Sequence, residues 1–329
     1  MHMVCTKQKK DEPMKSYKLI LAAALLIAST ASAQVKASYF PANMKLLAHI
    51  DMKRLASSKT GDLILGSMDE KSQRKMDSLT ALSGIEMKKD LDSLYILSTG
   101  EGENSGLVYA TGRFDINKLT TILGGNDGFK SEAFGSNKIL TWVDDGDAHY
   151  GSFVNNGLVI ASDNIDQLKK SLSLVQGKGQ PLSPDSPLAK IIPGKKNRFL
   201  SLAAYDVGGL ADAAPQMQML KEAKSVFFSI DQATADKADV ILNAAVSAAN
   251  LEAAQQMSAM IQGIQAMMMM QAAQNPEIAQ LAQNFKVVTK DTKIKMSLKL
   301  SEAQLRKQIA NGMKKANAAN AAEPQPNDE

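Results

Sequence analysis

The sequence predicts an α+β protein of two related units, each starting β-α-β-β-α, with antiparallel sheets and helices packed on one face. Three observations carry this. Residues 47–56 match residues 202–211 at a constant offset of 155, with Leu, Ala, Asp, Leu and Ala shared at five of ten positions. A strand, a capping residue and an amphipathic helix recur as a module along the chain. Apolar runs of strand length come in pairs, joined by residues that favour tight turns.

The first element is a targeting signal. Lys15 and Lys18 precede an unbroken apolar run over 19–28, and the small residues Ala31 and Ala33 follow it. A basic region, an apolar region and small residues before the cut make a secretory signal peptide, with cleavage predicted between Ala33 and Gln34. The run is about half of the ~20 residues that span a bilayer, so no stable transmembrane segment is expected after cleavage. Residues 1–33 are read as an N-terminal extension and signal, with Met14 as an alternative start. The chain is expected in the periplasm, at the outer surface or secreted. Cys5 lies upstream of the apolar run, so a lipoprotein anchor is not expected and the mature chain is cysteine-free. Thiolate metal sites and thiol nucleophiles are thereby excluded.

Of 329 residues, 44% are hydrophobic and 22% charged, which excludes collagen-like, wholly disordered and multi-span membrane chains. Removing residues 1–33 takes away five lysines and two acidic residues, leaving 33 basic and 32 acidic residues. No basic face is evident from the order of residues, and nucleic acid is not expected as a partner.

Along the body, residues 34–178 form the first unit, 179–185 a breaker-rich linker, 186–313 the second unit, and 314–329 a small, polar tail read as disordered. Asp51 and Asp206 each end a matched strand and are read as turn or helix caps rather than catalytic acids. Strands are predicted over 91–99 and 106–114, then 138–144, 148–154 and 157–162, with turns at Asp145-Gly146 and Asn156-Gly157. In the second unit, 224–232, 238–248, 286–289 and 293–300 take their place. Asp115, Asn164 and Ser301 each stand four positions before a leucine as helix caps, and Ser301 with Gln304 forms a capping box. Asn250 begins a weaker copy of the same module.

The candidate site residues lie in the helix that follows. Met257, Met260, Ile261, Ile264, Met267 and Met268 recur at helical spacing, and Asn275-Pro276 ends the pattern by capping a second helix. The plain reading is a helix packed on the second sheet, with methionine as adaptable filler. Met269 and Met270 fall off that stripe. With Met267 and Met268 they form a candidate surface for a protein, peptide or lipid partner. A further alternative uses Met257, Met260, Met267 and Met270 as thioether ligands for Cu(I).

Enzyme chemistry has little support. No nucleophile elbow, zinc-binding helix motif, phosphate loop or dinucleotide fingerprint occurs, and no cofactor is expected. His49 alternates with apolar residues in a strand and is read as half-buried. Asp144, Asp145, Gly146, Asp147 and His149 read as a hairpin turn flanked by carboxylates. A metal-assisted envelope hydrolase would require His49, Asp51 and the 144–149 turn to converge. Trp142 is read as a sheet anchor.

Phe40-Pro41-Ala42-Asn43, the strand 46–51 and Leu55 resemble exported bacterial proteins of unknown function with a duplicated α+β body. That resemblance implies a bacterial envelope location and supplies no catalytic or binding residues. The expectation is an exported, non-enzymatic binding or scaffold protein.

Overall fold

The computed structural model describes residues 35–321 apart from 101–105, 127, 145, 192–196, 208–219 and 235. The signal sequence, its cleavage site, the loop tip at 101–105 and the last eight positions of the expected tail lie outside the described residues. Among the described residues twelve strands join one antiparallel sheet in the order β11-β12-β10-β9-β8-β1-β2-β3-β7-β6-β5-β4. The strands are β1 Leu46–Asp51, β2 Leu91–Ser98, β3 Gly106–Gly112, β4 Lys130–Phe134, β5 Asn137–Asp144, β6 Asp147–Asn155, β7 Leu158–Ser162, β8 Arg198–Tyr205, β9 Ala223–Gln232, β10 Val240–Ala248, β11 Phe285–Lys290 and β12 Lys293–Leu300.

The two matched segments meet at the middle of this sheet. β1 and β8 pair antiparallel, Leu46 opposite Ala204 and Ala48 opposite Leu202. The chain therefore builds one continuous sheet rather than two separate ones.

Strand alternation sorts side chains onto two faces. The back face, which carries Ile50, Leu94, Ala110, Leu140, Trp142 and Val159, packs on helical elements of the first half. Of these, α1 Met52–Ala56, α4 Met87–Asp90 and α5 Ile116–Gly124 reach the sheet, while α2 Lys59–Gly66 packs beside α1 and α3 Glu70–Ser83 beside α5. Leu119 and Leu123 of α5 and Met52 of α1 are buried there. In the second half the back face is covered by α7 Leu251–Ala272 and α8 Pro276–Asn284, and Leu305 of α9 Glu302–Ala321 closes its end.

The front face breaks the expectation of helices on one side only. Helix α6, Ile165–Val175, lies on the front and buries Leu168 and Leu172 against Tyr109, Leu158 and Ile160. Phe40 fills this core edge-on to Tyr109, ring centroids 5.0 Å apart, and tilted to Tyr95 at 5.6 Å. The Tyr109 hydroxyl donates to the Tyr39 carbonyl at 2.8 Å, satisfying a polar atom that burial would otherwise penalise. The 179–185 segment is built into the same core, with Leu182 buried and its N–H donating to the Phe40 carbonyl at 2.7 Å.

The first half is thus three layers deep, and its strands show it. Every residue of β7 is buried, as expected for a strand covered on both sides. Among the described residues the second half has two layers. None of the front-face residues of β10, β11 and β12 is buried or belongs to a hydrophobic cluster.

Two further points differ from the sequence reading. Edge strand β4 was not anticipated, because its exposed residues carry no apolar alternation. Helix α9 continues to Ala321, past residue 314 where the tail was expected to begin. Alanine is the strongest helix former, and four alanines stand between 316 and 321.

Candidate functional site

The open front face is ordered in rows that cross the strands. One row runs His49, Ser201, Ser229, Asn243, Ser297 and Lys286, each opposite the next. Asn243 donates through Nδ2 to Ser229 Oγ at 3.4 Å, and Ser201 Oγ is buried with no partner among the described residues. In the neighbouring rows Phe227, Ala245, Lys295 and Val288 line up, as do Ser225, Ser247, Lys293 and Lys290. Arg198 closes the inner margin. It pairs with Asp231 through two hydrogen bonds, 2.8 and 3.2 Å, while its guanidinium stands 5.0 Å above the Phe227 ring.

The outer two strands make this face basic. Lys286, Lys290, Lys293, Lys295 and Lys299 are exposed and point to the same side. Lys299 approaches Asp239 at 3.8 Å; the other four have no ion pair among the described residues. This corrects the expectation that no basic face exists. Two short lysine series become one surface only once β11 and β12 fold back on each other.

His49 sits where this polar floor meets the front core. It is buried, stacks on Tyr95 with ring centroids 4.5 Å apart and 20° between planes, and places Nε2 3.3 Å from Ser93 Oγ. Burial pushes its pKa down to about 4, although the Asp51 charge pulls the other way. The ring is therefore neutral at pH 7. Asp51 turns to the helix that follows, accepting from the Arg54 N–H at 2.8 Å and from Arg54 Nε at 3.2 Å.

The residues required for a hydrolase do not converge. His149 is on the back face, opposite Trp142, whereas His49 is on the front. Their strands are four steps apart in the sheet, roughly 19 Å at the usual strand spacing. His149 is buried and bonds through Nδ1 to Asp163 at 2.5 Å, which, with Asp144 and Asp147 nearby, raises its pKa. Asp144 and Asp147 face each other across the hairpin end, and Asp145 lies outside the described residues. Among the described residues no cluster of His, Asp or Glu is suited to a metal ion.

The capping residues are seen at work. Asp115 accepts from the Lys118 N–H at 2.9 Å, Asn250 from the Ala253 N–H at 2.8 Å, and Asn164 from the N–H groups of Asp166 and Gln167. Ser301 and Gln304 bond reciprocally, Gln304 Oε1 accepting from the Ser301 N–H at 2.9 Å. Asp206 differs. It takes a left-handed φ of 52° and pairs with Lys45 at 2.9 Å, while the segment after it lies outside the described residues.

The methionine helix buries only part of the side its spacing predicted, Met257 and Ile261, and leaves Met260, Ile264 and Met267 exposed. Ala253, Ala254, Met257, Ser258 and Ile261 are buried, and Ser258 bonds to Thr289 at 2.9 Å. Met268 is half-buried. Met260, Ile264, Met267, Met269 and Met270 face outward, 45–77% exposed. No charged residue occurs between 253 and 276. As a copper site the four proposed sulfurs are spread out. Met257 and Met267 are roughly 15 Å apart along the helix axis, so they form two separate pairs and not one cage.

No family model matches this chain, and no curated protein does. Its fold is similar to TP0453 of Treponema in crystal form III, with a TM-score of 0.54 and 10% identity over 86% of this chain and 99% of that one. Crystal form I of TP0453 aligns at 8% identity over 85% and 98% of the two chains, TM-score 0.46. At such identity the likeness to form III speaks for the fold alone. No described helix is long and apolar enough to cross a membrane.

Proposed function

We propose that this chain is an exported, non-enzymatic binding protein of the bacterial envelope that holds a protein partner on the outward face of α7. The observation that carries the reading is the exposure of Met260, Ile264, Met267, Met269 and Met270 along a helix with no charge after Glu252. Exposed apolar surface of this kind marks an interaction site, and unbranched methionines adapt to the shape they meet. A membrane surface is the poorer occupant. Helices that lie in the lipid interface carry Lys or Arg on the polar flank, and this one carries none.

The signal sequence supports export, and the antiparallel meeting of residues 46–51 with 198–205 supports two related units joined edge to edge. In that reading the pseudo-twofold axis passes between Leu47 and Ala48 and between Leu202 and Ala203.

The test uses the chain carrying Met267→Gln, Met269→Gln and Met270→Gln. The side chains are exposed, so folding stability should stay within about 0.5 kcal/mol of wild type. A photo-crosslinker at position 266, exposed and one turn before Met270, should capture in the organism's own envelope one protein that the same crosslinker in the triple variant no longer captures. Equal capture by both, or a mature protein whose N-terminus is not Gln34, overturns the respective half of the proposal.

A further inference from the structure

The back of the second half presents apolar side chains; the front presents the lysines, and the two call for different partners. We infer that the front face of β8–β12 binds an acidic polysaccharide, laid along β11 and β12.

The fold alone does not account for all five lysines. Lysines on an edge strand can guard against sheet-to-sheet pairing, which would account for Lys286 and Lys290 on β11. It does not account for Lys293, Lys295 and Lys299, because β12 is paired on both sides. Lys290 stands directly opposite Lys293, an arrangement that costs stability when no anion lies between them. Alternate residues of a strand are about 7 Å apart, so the series offers regularly spaced cations to a linear polyanion.

The neighbouring floor selects among polyanions. Ser225, Asn243, Ser247 and Ser297, all partly exposed, supply hydroxyl and amide groups at low bulk, suited to the hydroxyls of sugar rings. Single-stranded nucleic acid is bound on free aromatic platforms, and Phe227 on this floor is half-buried with Arg198 over its ring. A bilayer would require a broad apolar surface beside the cations, and this face offers exposed Val288 and half-buried Ile241, opposite Lys299, for five lysines. The chain after residue 33 has nearly balanced charge, so attraction to an anionic polymer must be local to this patch.

Fluorescence anisotropy of the full chain with labelled heparin oligosaccharide and with polygalacturonate tests the inference. The variant Lys290→Gln/Lys293→Gln/Lys295→Gln should bind about tenfold or more weakly and show a shallower dependence on salt. Lys118→Gln/Lys138→Gln, in the first half, should bind within about twofold of wild type. The triple variant should melt at or above the wild-type temperature, because it removes a like-charge pair. Equal glycan binding by the triple variant overturns the inference. So does stronger binding to oligodeoxythymidylate or to phosphatidylglycerol vesicles than to either glycan.

Discussion

Neutralising the pH response of His49 is the sharpest test of the structure at the centre of the sheet. The imidazole is buried against Tyr95 and Ser93, and its pKa is lowered from 6.5 to about 4. An unfolded chain takes up a proton near pH 6.5, whereas the folded chain resists until about pH 4. Between these values the unfolded state binds more protons, so stability falls as pH falls. The contribution is complete above pH 6.5 and fully lost below about pH 4, in total about 3 kcal/mol at 1.36 kcal/mol per unit. At pH 5 the loss is about 2 kcal/mol. His49→Phe keeps a ring to stack on Tyr95 and removes the titration. Urea unfolding of both proteins from neutral pH to about pH 4.5 should show their stability difference moving by about 2 kcal/mol in favour of the variant. A difference that stays flat across this range would mean that the ring is solvated and that the packing at β1/β2 is wrong.

The other predictions concern different layers. His149 has a raised pKa, so its stabilisation is fully present below about pH 6.5 and lost as pH rises through the folded value; Asp163→Asn should therefore cost most in acid, read as melting temperature against pH. Gly61→Ala would set a Cβ 1.6 Å from the Leu55 carbonyl oxygen and should destabilise by about 3 kcal/mol or more, seen as a lowered urea midpoint. Asn250→Ala removes the cap of α7 and should cost about 1 kcal/mol by the same measurement, with the sheet signal in circular dichroism retained.

The strands were legible because each apolar run is bounded by turn residues, and ladder partners such as Leu91–Ser98 with Gly106–Gly112 begin and end within two residues of those runs. Which face a helix covers was not legible. Helix α6 carries a clear apolar side, but nothing in its own residues says front or back. Helix α7 failed for a different reason. With large apolar residues distributed around much of its circumference, periodicity cannot choose the buried side. Close approach to Ala204, Ala223 and Ala248 on the sheet selects the small residues Ala253, Ala254 and Ser258, and this turns Met260, Ile264 and Met267 outward. The lysine face needed the pairing of Lys290 with Lys293 and of Val288 with Lys295, which is a fact of register and not of order.

The two surfaces lie on opposite sides of one sheet, and their chemistry could not be exchanged. Covering the front of β10 and β12 with an apolar helix would bury Ser247 and Lys295 against apolar side chains, at a cost that an apolar contact does not recover. Covering the outward side of α7 with a polyanion would offer it methionine and no cation. A chain that is deep on one half and open on the other can therefore hold an anionic polymer in front and a protein behind without either blocking its neighbour. This independence is measurable. Combining Met267→Gln, Met269→Gln and Met270→Gln with the three front-face Lys→Gln changes should give losses that add within about 0.5 kcal/mol, since the two sets share no partner. A coupling well beyond that would place both ligands on one surface and collapse the two-sided arrangement.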